Sequence, residues 1–162
     1  MSQPPSSTPL DAPSPEWAEL PAIRALYERM LLAWNSRDAD AFAAQFTTKG
    51  HSIGFDGSEL RGRAQIASTL RGIFADHPTG RYVWKVRWVR PLAPGVALLR
   101  ADVGMVPAGQ TDIAPALNTV QTVVAAQSDG EWCIIQLQNT PAQLHGRPDL
   151  VQQMTDELRQ LL

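Results

Sequence analysis

The chain has 162 residues, of which 44% are hydrophobic and 19% are charged, and its formal net charge is −2. This length and composition are typical of one folded globular domain, and the near-neutral charge gives no electrostatic reason to expect nucleic acid or an anionic membrane as a partner. No apolar run reaches the roughly 18 residues of a membrane-spanning helix, and the single cysteine, Cys133, excludes an internal disulfide.

Residues 1–15, MSQPPSSTPLDAPSP, are rich in proline and serine and predict a flexible arm. The arm lacks the basic start and apolar stretch of a signal peptide, so we expect it to stay attached. Together with the unpaired thiol, this predicts a cytoplasmic location. An arm that docks on a partner subunit is the alternative. Residues 16–145 form the predicted α+β domain, and residues 146–162 a C-terminal helix.

Helical periodicity dominates the first half of the chain. A Ser-Pro-Glu start signal at 14–16 and a restart at Pro21 precede an amphipathic helix, whose apolar residues recur three and four apart. Asp38 caps a predicted short second helix, residues 51–55 predict a short strand, and residues 63–76 predict a third helix. The apolar stripe of the first helix consists of Ile23, Leu26, Tyr27, Met30 and Trp34.

Strand periodicity begins at residue 81. Four alternating segments predict an antiparallel meander, at 81–89, 96–105, 117–127 and 131–140, with an Asp-Gly hairpin turn before the last. A final helix is predicted to start beside Pro148. Helices followed by a meander predict an α+β fold, with an antiparallel sheet that carries its helices on one face.

Three segments resemble the nuclear-transport-factor-like superfamily, which includes the SnoaL-like proteins: WNSRDADAFAAQF at 34–46, Arg-Gly-Arg at 61–63 and DGEWCIIQLQNTP at 129–141. Within it the chain looks most like the SgcJ/EcaC branch, whose last strand ends in a similar Asn-Thr. The resemblance implies a cystatin-like cone, with three N-terminal helices packed on a strongly curved mixed or antiparallel sheet. It also implies a pocket between helices and sheet, and homodimers formed through the outer sheet face. It implies no single function, because relatives include isomerases, cyclases, dehydratases and association domains.

Three residues are candidates for a catalytic proton-transfer group: His51 in the first predicted strand, Asp56 in a turn, and Asp102 within a strand of the meander. Each has a structural alternative, namely a histidine at the rim, a turn-forming aspartate, and an ion pair with Arg100. The acid pair that the resemblance to isomerases implies is absent. Its base corresponds to about Gly54, and the strand NTVQTVV holds no acid.

Aromatic and amide side chains are the candidate ligand contacts. Gln136 and Gln138 are predicted on the same strand face as Trp132 and Ile134, and a buried amide must find hydrogen-bond partners. A water-filled cavity or a dimer interface are alternatives, and a register error of one residue would invert the two faces. The full candidate set for ligand binding is Tyr27, Trp34, His51, Trp88, Asn118, Gln136 and Gln138.

No metal or cofactor is predicted, because His51, His77 and His145 lack ligand spacing and no glycine-rich phosphate loop follows a strand. Three functions remain open. The first is a pocket protein that binds a hydrophobic small molecule, such as a polycyclic or carbonyl-bearing metabolite. The second is a cyclase, isomerase or dehydratase, and the third is an assembly module with a vestigial pocket. We expect the first, as a homodimer, because no acid–base pair is evident.

Overall fold

The computed structural model describes residues 20–162, so the predicted arm at 1–15 and the helix start at 14–16 lie outside the described residues. None of the described helices is long and apolar enough to cross a membrane. The elements follow in the order α1 (Pro21–Asn35), α2 (Ala39–Ala44), β1 (Phe46–Ile53), β2 (Glu59–Arg61), α3 (Arg63–Asp76), β3 (Arg81–Ala93), β4 (Val96–Val106), β5 (Thr119–Ser128), β6 (Glu131–Pro141) and α4 (Pro148–Arg159).

The strands form one mixed sheet in the order β2-β1-β6-β5-β4-β3. The last four strands pair antiparallel, as predicted, whereas β1 pairs parallel with β6. The prediction of the first strand was wrong at its start, because β1 begins at Phe46 and not at residue 51. Thr48 and Lys49 are exposed and the register with β6 shifts before His51, so this part of the strand shows no apolar alternation to recognise.

The core lies between α1, α2, α3 and the concave face of the sheet. The predicted stripe of α1 is buried apart from partly exposed Trp34, and it packs with inward residues of the sheet such as Leu99 and Val123. Burying one large apolar side chain stabilises the fold by about 1.5–3 kcal/mol. Asp38 caps α2 by accepting a hydrogen bond from the backbone N–H of Ala41 at 2.9 Å. The three helices therefore form one layer over the sheet.

Helix α4 packs on the opposite, outer face of the sheet, which corrects the expectation that all helices share one face. Its Met154 and Leu158 contact an apolar patch that β3 and β4 present there. Gly104 permits the close approach, because a Cβ at this position would lie 3.2 Å from Leu158. Arg87 bridges sheet and helix through ion pairs with Asp102 at 2.6 Å and with Glu157.

A β-bulge in β6 reverses which residues face the helices. Ile134 and Gln136 oppose consecutive residues of β5, so Ile135 is the extra residue. Before the bulge, Ile134 points into the core, and after it Leu137 does. Gln136 and Gln138 therefore lie on the outer face.

A second bulge in β3 has the same effect. Val86 and Trp88 oppose consecutive residues of β4, so Arg87 is the extra residue. Tyr82 and Trp84 pack against the core from the inner face. Trp88 is paired with Arg100 on the outer face, so the aromatic residues of this strand do not form one stripe.

Candidate functional site

A cavity of about 340 Å3 lies between the helices and the concave face of the sheet. Eighteen described residues line it, contributed by α1, α2, α3, all six strands and the loops between elements. Ten of them carry apolar side chains, including Trp34, Phe42 and Leu70, and none carries a charge. The cavity is therefore an apolar pocket with a small number of neutral polar groups.

The turn between β1 and β2 forms one edge of the opening. Phe55 lines the pocket and is 40% exposed, so its ring lies at the rim. Asp56 shapes the turn by accepting hydrogen bonds from the backbone N–H and the hydroxyl of Ser58, at 3.0 and 2.6 Å. These bonds lower the pKa of Asp56, which is itself exposed to solvent. Asp56 is thus a turn-forming residue beside the pocket.

A chain of hydrogen bonds, buried at Tyr27 and Gln121 and partly exposed at Asn139, forms the polar part of the pocket. The Tyr27 hydroxyl donates to Oε1 of Gln121 at 2.6 Å, and Nε2 of Gln121 donates to Oδ1 of Asn139 at 2.8 Å. Nδ2 of Asn139 donates to the backbone carbonyl of Ile53 at 2.8 Å. Gln121 and Asn139 both line the cavity, whereas Tyr27 lies behind Gln121 in the core. The chain thus ties α1 to β5, β6 and the end of β1.

Tyr82 lines the pocket beside Trp34, with ring centroids 5.2 Å apart. The Trp34 ring is held by its N–H, which donates to the carbonyl of Gly80 at 3.0 Å. Burial raises the pKa of Tyr82 to about 12. Burial also raises the pKa of Tyr27 well above its usual value, and the charges of Tyr82 and Asp102 add to that effect. Both phenols therefore keep their protons at neutral pH.

None of the three catalytic candidates lines the pocket. His51 points away from it and lies 3.5 Å from the Glu59 carboxylate, on the surface. Asp56 is held in its turn. Asp102 lies under α4 on the outer face, where it pairs with Arg87 at 2.6 Å and Arg100 at 3.3 Å. The structure therefore does not bring these groups together.

Of the ligand-contact candidates, Trp34 lines the pocket and Tyr27 lies directly behind it. The bulges place Trp88, Gln136 and Gln138 on the outer face.

Asn118, another ligand-contact candidate, precedes β5 and donates to the hydroxyl of Thr155 in α4 at 2.9 Å. It is thereby part of the contact between that helix and the sheet.

The sequence analysis missed Tyr82, Gln121 and Asn139 as pocket residues. Gln121 could have been recognised from the sequence, because it lies three residues after Asn118, and an odd spacing puts the two side chains on opposite faces of the strand. Asn139 had none, since the bulge at Ile135 changes the alternation before it. In residues 20–162, no group of three or more metal-ligating side chains is placed to hold a metal ion.

Comparison with known proteins assigns this architecture to a family. The sequence profile of the SnoaL-like domain matches residues 23–142. No curated protein matches the chain. A domain of unknown function with a cystatin-like fold from Nostoc punctiforme is 28% identical, covering 89% of this chain and 96% of that one, with a TM-score of 0.74.

Two further solved structures have the same fold. An uncharacterised protein with a cystatin-like fold from Caulobacter vibrioides is 26% identical, covers 82% of this chain and 96% of that one, and has a TM-score of 0.62. A ketosteroid isomerase-like protein from Erwinia carotovora atroseptica is 18% identical, covers 76% and 96%, and has a TM-score of 0.61. At this identity the second likeness shows the fold alone, and the SgcJ/EcaC branch stays a prediction.

Proposed function

This chain belongs to the SnoaL-like domain family, and we propose that its pocket binds an uncharged, largely apolar small molecule. The observation that carries the proposal is the lining: eighteen residues, ten apolar and none charged. An ion that leaves water for such a cavity without a counter-charge meets a large desolvation cost, whereas apolar surface gains free energy on entering it. A cavity of about 340 Å3 is within the size range of small-molecule sites.

The same lining favours binding over proton-transfer catalysis. A general acid or base works best with a pKa near the working pH. Tyr82 is the titratable residue in the lining, and its pKa of about 12 leaves it protonated at neutral pH. The two candidate carboxylates are engaged elsewhere, since Asp56 accepts from Ser58 in its turn and Asp102 pairs with arginines on the outer sheet face. These contacts support a binding protein over a cyclase or isomerase.

We also propose that a second copy of the chain covers the outer sheet face beyond α4. Partly buried Trp88, Leu98 and Val124 lie on that face, which no described element covers. The Arg90 guanidinium stacks on the Trp88 ring at 4.9 Å from its centroid. An apolar sheet face of this kind is stabilised by burial against another surface. Homodimers of this arrangement are what the family resemblance implies.

The binding proposal can be tested with tetralin, a neutral bicyclic hydrocarbon, as the probe. Titration into 15N-labelled protein should shift the amide signals of pocket residues and leave those of α4 unchanged. Thr69 lines the pocket from α3, and Ser68 beside it is exposed. Thr69→Trp should fill the cavity and raise the Kd for tetralin at least tenfold. Ser68→Trp, with the same side chain one position away, should leave the Kd within twofold.

Two results of the tetralin titration would contradict the proposal. If tetralin binds the wild type and both tryptophan variants with the same Kd, it binds elsewhere, and the pocket is not its site. If tetralin does not bind the wild type at millimolar concentration, the pocket does not accept apolar molecules. The assembly-module hypothesis would then take precedence.

A further inference from the structure

The direction of the hydrogen-bond chain behind the pocket is fixed by its last acceptor. The backbone carbonyl of Ile53 can only accept, so Asn139 must present its Nδ2 to it. Oδ1 of Asn139 then faces Gln121 and must receive an N–H, which orients the Gln121 amide. Oε1 of Gln121 is left to accept the proton of the Tyr27 hydroxyl. One backbone group thus determines the orientation of three side chains.

This direction decides what the chain offers to the pocket. The proton of Tyr27 is used within the chain, and each amide oxygen of Gln121 and Asn139 already accepts one bond. Each amide nitrogen still has one N–H that donates to no described residue. A buried N–H without an acceptor is rarer in proteins than an oxygen with a free lone pair. The free N–H groups of Gln121 and Asn139 therefore lack a hydrogen-bond acceptor in the described part of the chain.

Tyr82 adds a third donor to the same cavity. Its hydrogen bonds are those of its backbone, with the Asn35 side chain at 2.7 and 3.0 Å, and its hydroxyl has no partner among the described residues. It lies close enough to Tyr27 for its charge to affect the pKa of that residue. Tyr82, Gln121 and Asn139 all line the same cavity, so the Tyr82 hydroxyl and the two amide nitrogens are donors within one pocket.

We propose that Tyr82, Gln121 and Asn139 form a donor site for one uncharged acceptor oxygen of the ligand, of the carbonyl or ether type. The inference rests on the proposed function and specifies the ligand class for the same pocket. The rest of the molecule lies among apolar side chains such as Leu31, Trp34 and Leu70. A carboxylate is disfavoured, because no cationic side chain lines the cavity to neutralise it.

The test compares 1-tetralone with tetralin, which differ by one carbonyl group. Dissociation constants are measured by 15N titration for the wild type, Tyr82→Phe and Thr69→Val. Because tetralone also loses more hydration than tetralin, the informative quantity is the change in each Kd between variants. Tyr82→Phe should raise the Kd of tetralone about tenfold and leave that of tetralin within twofold. Thr69→Val removes another hydroxyl of the pocket and should raise the Kd of tetralone less than Tyr82→Phe does.

The remaining outcomes contradict either the donor site alone or the proposed function as well. If Tyr82→Phe changes neither Kd, or raises both equally, the hydroxyl does not bind the ketone oxygen and the donor site is wrong. In both cases tetralin still binds the wild type, so the proposed function stands. If Thr69→Val has the larger effect on tetralone, the acceptor oxygen is recognised at α3 instead. Failure of tetralin itself to bind removes the proposed function, and the donor site with it.

Discussion

Tyr27, which is buried, and Tyr82, which is partly buried, should differ sharply in what their hydroxyl groups contribute to stability. Tyr27 is 0% exposed and donates a 2.6 Å bond to Gln121, which is 1% exposed. In Tyr27→Phe the Gln121 Oε1 atom stays buried and loses its donor. Leaving a buried polar atom unpaired costs about 1–3 kcal/mol. Since 1 kcal/mol shifts Tm by about 2–4 °C in a chain of this size, a central cost of about 2 kcal/mol predicts a Tm lowered by about 4–8 °C.

Tyr82→Phe is the matched control, because the same substitution there removes a hydroxyl that has no partner. We expect its free energy of unfolding to stay within about 0.5 kcal/mol of the wild type. Urea unfolding followed by tryptophan fluorescence measures both variants, and equal m-values show that the unfolded states are comparable. If Tyr27→Phe is as stable as Tyr82→Phe, the Gln121 amide does not depend on Tyr27. The deduced orientation of the chain would then be wrong.

Tyr27 and Tyr82 are the only tyrosines, and the fold raises the pKa of both above the usual value of about 10. The free energy of unfolding should therefore be highest below about pH 10 and fall as the pH rises toward about 12. Tyrosinate absorbance should likewise appear only above about pH 11, until the chain unfolds. Asp102→Asn weakens the ion pairs under α4 and should cost about 1–3 kcal/mol, with faster hydrogen exchange in α4, whereas unchanged exchange would show that apolar packing alone holds it. Val124→Asp should convert a dimer into a monomer in sedimentation at low micromolar concentration, and a wild type that already sediments as a monomer would refute the proposed interface.

The sequence predicted the fold better than the pocket, and the reason is local. Helical spacing predicted α3 at its observed bounds, Arg63–Asp76, because apolar residues three and four apart specify one buried face. Strand alternation is less robust, since one extra residue reverses every later assignment. The extra residues at Arg87 and Ile135 do so in β3 and β6, and neither position carries a glycine or proline that would mark a bulge.

The consequences of those bulges explain why the amides were assigned to the wrong region of the molecule. Continuous alternation would bring Gln136 and Gln138 to the face that Ile134 shares with the core. The bulge instead brings Leu137 and Asn139 there, and it moves both glutamines to the outer face. The pairing of β5 with β6 then sets Asn139 opposite Gln121, so the hydrogen-bond chain exists only in the bulged register.

The hydrogen-bonding side chains of the pocket serve both folding and ligand binding, two roles that usually oppose each other. A donor that is paired within the protein stabilises the fold but cannot bind a ligand. An unpaired donor can bind a ligand but contributes no hydrogen bond to the stability of the fold. Here the two kinds are separated between neighbouring groups, since Tyr27 is paired with Gln121 and Tyr82 is not. Substitution of Tyr27 should therefore act mainly on unfolding, and substitution of Tyr82 mainly on ketone affinity. The site can thus distinguish a ketone from a hydrocarbon through a neutral donor, without a charged residue.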